Sequence, residues 1–186
     1  MEHQGTVSLE TSRLILRRFR LDDSVAAFRN WTHDDRVTEF LSWNTHENIV
    51  VTEKVIKMWV DSYADKNFYQ WAIAQKENDE SIGAISIVEQ NEELNSVQIG
   101  YCIGSKWWHK GYTSEAFTSI IPFLFEKVKV NRIESKHDPL NPNSGKVMLK
   151  CGLKYEGTLR QAAINNKGIV DAAMYSILAE EYGVLL

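Results

Sequence analysis

The chain has 186 residues, with 21 Lys and Arg against 25 Asp and Glu, a formal charge of −4, and 44% hydrophobic residues. This length fits one domain, read as residues 1–186, and the composition is too apolar for a disordered chain. The acidic balance excludes a dedicated nucleic-acid binder, because release of counterions needs a basic surface.

The one strongly apolar run, Ile120 to Phe125, is broken by Pro122 and is far shorter than the about 20 residues of a membrane helix. Met1-Glu2-His3-Gln4-Gly5 has neither the basic start nor the apolar stretch of a secretory signal, so a cytoplasmic protein without membrane contact is expected. Cys102 and Cys151 lack metal-ligand spacing and read as reduced, buried thiols. The five histidines form no H-x-x-x-H pair, so no metal site is expected.

In chain order, the alternation of Leu9 to Phe19 predicts a first strand. Asp22-Asp23 opens a helix running to about Trp31, and a short helix covers Asp34 to Ser42. Thr45 with Asn48 caps a longer helix, in which Ile49, Val55, Ile56, Trp59, Val60 and Tyr63 recur at helical spacing. The period then changes to two, and Phe68 to Gln75, Ser81 to Gln90 and Val97 to Gly104 read as an antiparallel meander. After Gly111 a helix runs through Phe125, followed by a short strand from Arg132 to Lys136 and a helix from about Asn143 to Cys151. Two last strands, Leu153 to Ile164 and Ile169 to Ala179, flank the turn Asn165-Asn166-Lys167-Gly168. The apolar end, Val184-Leu185-Leu186, offers a contact surface, and both monomer and homodimer stay open.

Charge placement gives the first functional signal. Leu94 to Ser114 and Pro139 to Tyr155 contain no Asp or Glu, although about 5 acids would be expected there by chance, and they carry Lys106, Lys110, Lys146, Lys150 and Lys154. Both lie beside predicted helix N-termini, where free N–H groups attract anions. A polyanionic ligand fits this pattern. In the first stretch, Gly111 permits a backbone conformation in which successive N–H groups converge on a phosphate.

Gly100-Tyr101, the run Trp108-His109-Lys110-Gly111-Tyr112-Thr113-Ser114-Glu115-Ala116 and the N-P-N-S-x-x-V-M-x-K-x-G-L block from Asn141 to Leu153 together resemble the GNAT superfamily of acyl-CoA-dependent N-acetyltransferases. The opening L-E-T-S-R-L-I-L-R-R and the late Gly157-Thr158-Leu159-Arg160 extend the likeness over nearly the whole chain, closest to the ribosomal-protein N-terminal acetyltransferase branch. The resemblance implies a mixed α/β fold, with a central, mostly antiparallel sheet splayed at the cofactor strand and flanked by helices. It also implies acetyl-CoA as cosubstrate. Of the three marked positions of the family's pyrophosphate loop, occupied here by Trp108, Gly111 and Thr113, only the central Gly is kept.

In the family's frame, the backbone of Ile99, Tyr101 and Ile103 holds the pantetheine arm as if it were another strand. His109, Lys110, Tyr112 and Ser114 complete the phosphate loop, and Lys146 and Lys150 reach a phosphate from the following helix. Asn141 and Ser144 stand beside the thioester, although the same residues also read as a plain helix N-cap. Glu115 fits dipole compensation or chemistry.

The implied reaction is direct attack by a neutral amine on the thioester, and the chain lacks the G-x-S-x-G of a covalent hydrolase. Met148 stands where many relatives have a general-acid Tyr, which moves that role to Ser144. Gln98 replaces a common Glu, leaving solvent, or Glu89 through water, to take the proton. An α-amine near pKa 8 is about a tenth neutral at pH 7, against a few parts in ten thousand for lysine, so the N-terminus of a ribosomal or other protein is the expected acceptor. A small amine remains an alternative, as does a catalytically weak acyl-CoA-binding regulator. Trp31, Trp43, Trp59 and Trp71 fall in the acceptor region, where Glu39, Glu47 and Asp61 favour a basic acceptor or simply form solvated faces.

Overall fold

The computed structural model describes residues 1–183, so the apolar end expected to form a contact surface, Val184-Leu185-Leu186, lies outside the described residues. The predicted first strand is two, β1 (Leu9–Glu10) and β2 (Leu14–Arg17). Alternation runs through both, but Thr11 Oγ1 accepts from Leu14 N at 2.9 Å and turns the chain between them. Next come α1 (Asp23–Ala27), which continues as one wider turn over Phe28–Thr32, and α2 (Asp35–Thr38). The helix expected to reach Ser42 stops at Thr38, whose carbonyl accepts from the distant Asn166 side chain. In α3 (Ile49–Ser62), Asn48 is the cap and accepts from Val50 N, while Thr45 instead bonds Thr38 through the two hydroxyls.

The remainder is β3 (Gln70–Gln75), β4 (Ser81–Asn91), β5 (Ser96–Ile103), α4 (Tyr112–Phe123), β6 (Arg132–His137), α5 (Pro142–Lys150), β7 (Lys154–Asn165), β8 (Gly168–Leu178) and the unforeseen α6 (Ala179–Tyr182). The eight strands form one sheet in the order β1-β2-β3-β4-β5-β6-β8-β7. Neighbours are antiparallel except β5 and β6, which pair in parallel only from Ser96–Arg132 to Gln98–Glu134. At that level β4 holds an extra residue, Val88, between Ile87 and Glu89. Such a bulge bends and twists its neighbours, so β5 swings away from β6 and the sheet opens between them.

Strand alternation sends Trp71 and Ile73 of β3 to one face and Ala72 to the other. The first face packs beneath α4, which buries Ala116, Phe117, Ile120 and Ile121. Each large side chain there contributes roughly 1.5–3 kcal/mol. Small Ala72 and Ala84 let α1 and α3 approach the second face, where Phe19, Trp31 and Ile56 fill the core.

Candidate active site

The site is built where the sheet opens. β4 satisfies one edge of β5 along Gly83–Ile103 to Ile87–Ile99, but β6 does not follow on the other edge. Across the gap, Ser135 Oγ donates to Ile99 O at 2.8 Å. An extended polar chain therefore fits along the β5 edge at Tyr101 and Ile103, where Trp108 Nε1 donates to Ile103 O at 2.9 Å.

Beyond β5, His109 and Gly111 both have positive φ, +59° and +79°, which turns the loop sharply into α4. No side chain caps that helix, leaving its first N–H groups to the solvent side of the loop. Lys150 Nζ lies 3.7 Å from where a Gly111 Cβ would sit, so folding brings the two acid-free stretches together. The loop is held from behind by Arg13, which donates to Lys110 O at 3.1 Å and covers the Tyr112 ring at 4.1 Å.

Glu115 lies in the first turn of α4, where a carboxylate suits the helix dipole, and it also has a role that neither reading named. Its carboxylate accepts from Thr11 Oγ1 (2.6 Å), Ser12 Oγ (3.0 Å), Arg13 N (2.9 Å) and Arg13 Nε (2.7 Å). Burial alone pushes its pKa up, but the donors from Thr11, Arg13 and Ser12 carry it below the ordinary value. Glu115 is thus a staple tying the β1–β2 turn to the loop.

At the start of α5 the plain N-cap reading is not realised by Asn141. Its side chain accepts from no helix N–H; instead Nδ2 donates to Ser144 Oγ at 3.2 Å. An Oγ occupied as acceptor keeps its own O–H free to donate. Tyr101 Oη donates to Ser144 O at 3.0 Å, and burial pushes its phenol pKa far above the ordinary value, so it stays a proton-bearing strut. Met148 is buried in the core, 1% exposed.

Two cavities flank the opening. The first, about 670 Å³, is lined by Ile99, Tyr101, Ile103, Trp108, His109, Gly111, Thr113, Ser114, Asn141, Ser144, Lys146 and Lys150. Lys110 and Tyr112, the other two phosphate-loop candidates, do not line it. The second, about 580 Å³, lies on the far side and shares Ile99 to Cys102 and Lys136 to Asp138 with the first.

Trp31, Trp43 and Trp59 line this second space, with Trp31 and Trp59 stacked at 6.4 Å, whereas Trp71 is core on the opposite face and donates to Val7 O. Glu89 also lines it, but its side chain is 66% exposed and sits 3.8 Å from Lys136 Nζ. Glu39 lines the first cavity and pairs with Lys167, while Glu47 and Asp61 line neither, Asp61 being tied to exposed Lys57.

Both cysteines are free; Cys151 is buried, but Cys102 is only half-buried, in the wall of both cavities. Burial pushes the Cys102 thiol up to about 12 and the Cys151 thiol to about 11, which removes both as thiolate nucleophiles.

The tip of the β7–β8 hairpin closes the second cavity. Asn166 Nδ2 donates to Thr38 O and Trp43 O, both at 2.8 Å, and Asn166 N donates to Leu41 O. His137 and Asp138, in the wall between the cavities, went unmarked in the sequence, the only available signal being a carboxylate set directly before an acid-free stretch.

Residues 13–154 match the model of a family described as an acetyltransferase (GNAT) domain. The chain is similar to the uncharacterized N-acetyltransferase p20 of Bacillus licheniformis, 31% identical over 94% of this chain and 98% of that protein. It is also similar to the putative ribosomal N-acetyltransferase YdaF of Bacillus subtilis, 28% identical over 70% of each chain. A third relative is the L-amino acid N-acetyltransferase AaaT of Escherichia coli, 30% identical over 62% of this chain and 72% of that one. The crystal structure of a GNAT-family acetyltransferase from Bacillus anthracis shares the fold, with TM-score 0.82 and 23% identity over 94% of this chain and all of that one. The family match over most of the chain, on a sheet that opens at the expected strand, makes this protein a member of the GNAT family of acetyl-CoA-dependent N-acetyltransferases.

Proposed function

We propose that the chain acts as one unit in the cytoplasm and acetylates an α-amine, that of the N-terminus of a ribosomal or other protein. The observation that carries this reading is the opening between β5 and β6, with a cavity on each side meeting at Ile99 to Cys102. One space takes the donor and the other the acceptor, and the shared wall is where they meet. Two free cysteines fit a reducing compartment.

Bound acetyl-CoA supplies an activated acyl thioester. In our assignment the α4 N-terminus, Gly111, Lys146 and Lys150 hold its phosphates, and the backbone of Ile99, Tyr101 and Ile103 holds its arm. The remaining loop residues, Trp108, His109, Lys110, Tyr112, Thr113 and Ser114, supply backbone and walls. Asn141 orients Ser144 Oγ, which holds the proton destined for the leaving sulfur. Glu89, at the rim of the acceptor side, takes the amine proton through water.

The acceptor rests on amine chemistry: Gln98, 5% exposed, has no basic group, so an amine that is partly neutral at pH 7 is favoured. A relative named as a ribosomal N-acetyltransferase agrees with a protein N-terminus. The Asn166 closure favours a second reading, a small α-amine such as a free amino acid, as does the relative named for amino acids.

Thermal unfolding with acetyl-CoA, against ATP as a polyanion control, tests the donor side. At about 100 times Kd the stabilisation is roughly 2.7 kcal/mol, or about 5–10 °C for a chain of this size. Equal shifts with ATP, or none with acetyl-CoA, refute it. Acetylation rates on N-terminal peptides, free amino acids and polyamines then test the acceptor, and faster polyamine turnover overturns the α-amine preference.

A further inference from the structure

The wall common to both cavities contains a buried carboxylate that makes no ion pair among the described residues. Asp138, 8% exposed, directly follows β6 at the point where the sheet has opened. Its Oδ1 accepts from Leu140 N and its Oδ2 from Asn165 Nδ2, both at 2.9 Å. Among the described residues no basic side chain of either cavity pairs with it, and three cations of the cavities and the adjoining turn are engaged elsewhere. Lys136 is turned toward Glu89, Arg36 is held by Asp34, and Lys167 pairs with Glu39. His137 donates its Nδ1 proton at 2.8 Å to the backbone carbonyl of Asp138, away from the carboxylate.

An ionised carboxylate removed from water is costly unless a cation or enough donors compensate it. Here each oxygen has a single donor, and a carboxylate oxygen accepts two. A cation with several N–H groups would supply the remaining donors. The acceptor cavity that Asp138 lines also presents Trp43 and Trp59, with Trp31 buried behind them, and indole faces attract cations.

We propose that Asp138 binds the acceptor as its ammonium ion, with Asn165 fixing the direction of the carboxylate. The substrate class this selects is a protonated aliphatic primary amine, to the exclusion of alcohols and weakly basic arylamines. The inference rests on the assignment of the second cavity to the acceptor. It concerns binding alone, because the ammonium is the form in which most α-amine exists at pH 7.

Tryptophan fluorescence, with acetyl-CoA left out, reads this binding directly because indoles line the cavity. The probe is L-alaninamide, and its uncharged analogue N-acetyl-L-alaninamide is the control. The wild-type chain should bind L-alaninamide saturably and the acetylated form at least tenfold more weakly. Asp138→Asn and Asp138→Ser should each lose at least tenfold in affinity for L-alaninamide, and Asp138→Glu should recover part of it. Ser is included because it removes the carboxyl without turning a new N–H against the Asn165 donor.

Cooperative thermal unfolding without ligand shows that all three variants are folded; Asp138 also lines the first cavity, so the acetyl-CoA shift is read on the wild type. Neutral variants within threefold of wild type overturn the proposal, as does a wild-type chain that gives no saturable response or does not distinguish the two probes. Absence of any acetyl-CoA shift in the wild type would instead overturn the donor-site reading. Amine binding that depends on Asp138 would stand even then.

Discussion

Gly145 separates two effects of opposite sign. Alanine is favoured over glycine inside a helix by up to about 1 kcal/mol, so on propensity alone Gly145→Ala in α5 stabilises the protein. The packing opposes this. A Cβ at residue 145 would lie 2.6 Å from His137 Nε2 and 3.0 Å from Tyr175 Oη, closer than real Cβ contacts come, and both partners belong to the sheet beneath α5. Overpacking of this kind costs about 1–3 kcal/mol.

The net expectation is a loss of up to about 2 kcal/mol, or a fall in Tm of up to roughly 8 °C. Urea unfolding followed by tryptophan fluorescence measures it. In a His137→Ala background the closest contact is gone, and the same substitution should become neutral or stabilising, a change of sign that a double-mutant cycle records. If Gly145→Ala alone raises stability, the collision does not exist and α5 stands further from β6 than described. Because His137 Nδ1 is bonded to the Asp138 carbonyl, displacement of the ring should also weaken amine binding.

Gly111→Ala places a Cβ at φ +79°, and should cost about 1–2 kcal/mol of stability and weaken acetyl-CoA, which parallel unfolding and ligand-shift measurements detect. Ser144→Ala should lower the rate of acetyl transfer far more than acetyl-CoA affinity; an unchanged rate and pH profile removes Ser144 as the acid. Arg132 and Ser176 hold the Glu156 carboxyl at about 2, below its ordinary 4.5, and a depressed acid stabilises the fold above its unfolded pKa. That contribution should disappear as pH falls from about 4.5 to 2, and Glu156→Gln should flatten this part of the urea-stability profile.

The helix starts on the proposed donor side were legible because they are local. Gly111 and Asn141 stand at the starts of α4 and α5, as their own neighbours specify. The meander was legible for a similar reason, since β3, β4 and β5 carry alternation over most of their length, broken in β4 by the Val88 bulge. Where the sequence misled, distant partners decided. Thr11 breaks the first strand and is gripped by Glu115 from 104 residues away. α2 ends at Thr38, where Asn166 binds across 128 residues. Asp138 went unmarked, and only the return of Asn165 beside it gives its carboxylate a fixed direction.

In the proposed assignment, the hairpin tip that borders the acceptor cavity bears on how such a protein changes its partner. The matched family domain ends at residue 154, just as β7 begins, whereas Asn165, Asn166 and Lys167 lie beyond it. Substitution in that turn, or in the Thr38 to Trp43 strand-less segment it grips, reshapes one compartment and leaves the phosphate loop, the β5 edge and Ser144 in place. Acceptor choice and donor chemistry are therefore separable inheritances, and a lineage is free to retune the first without rebuilding the second.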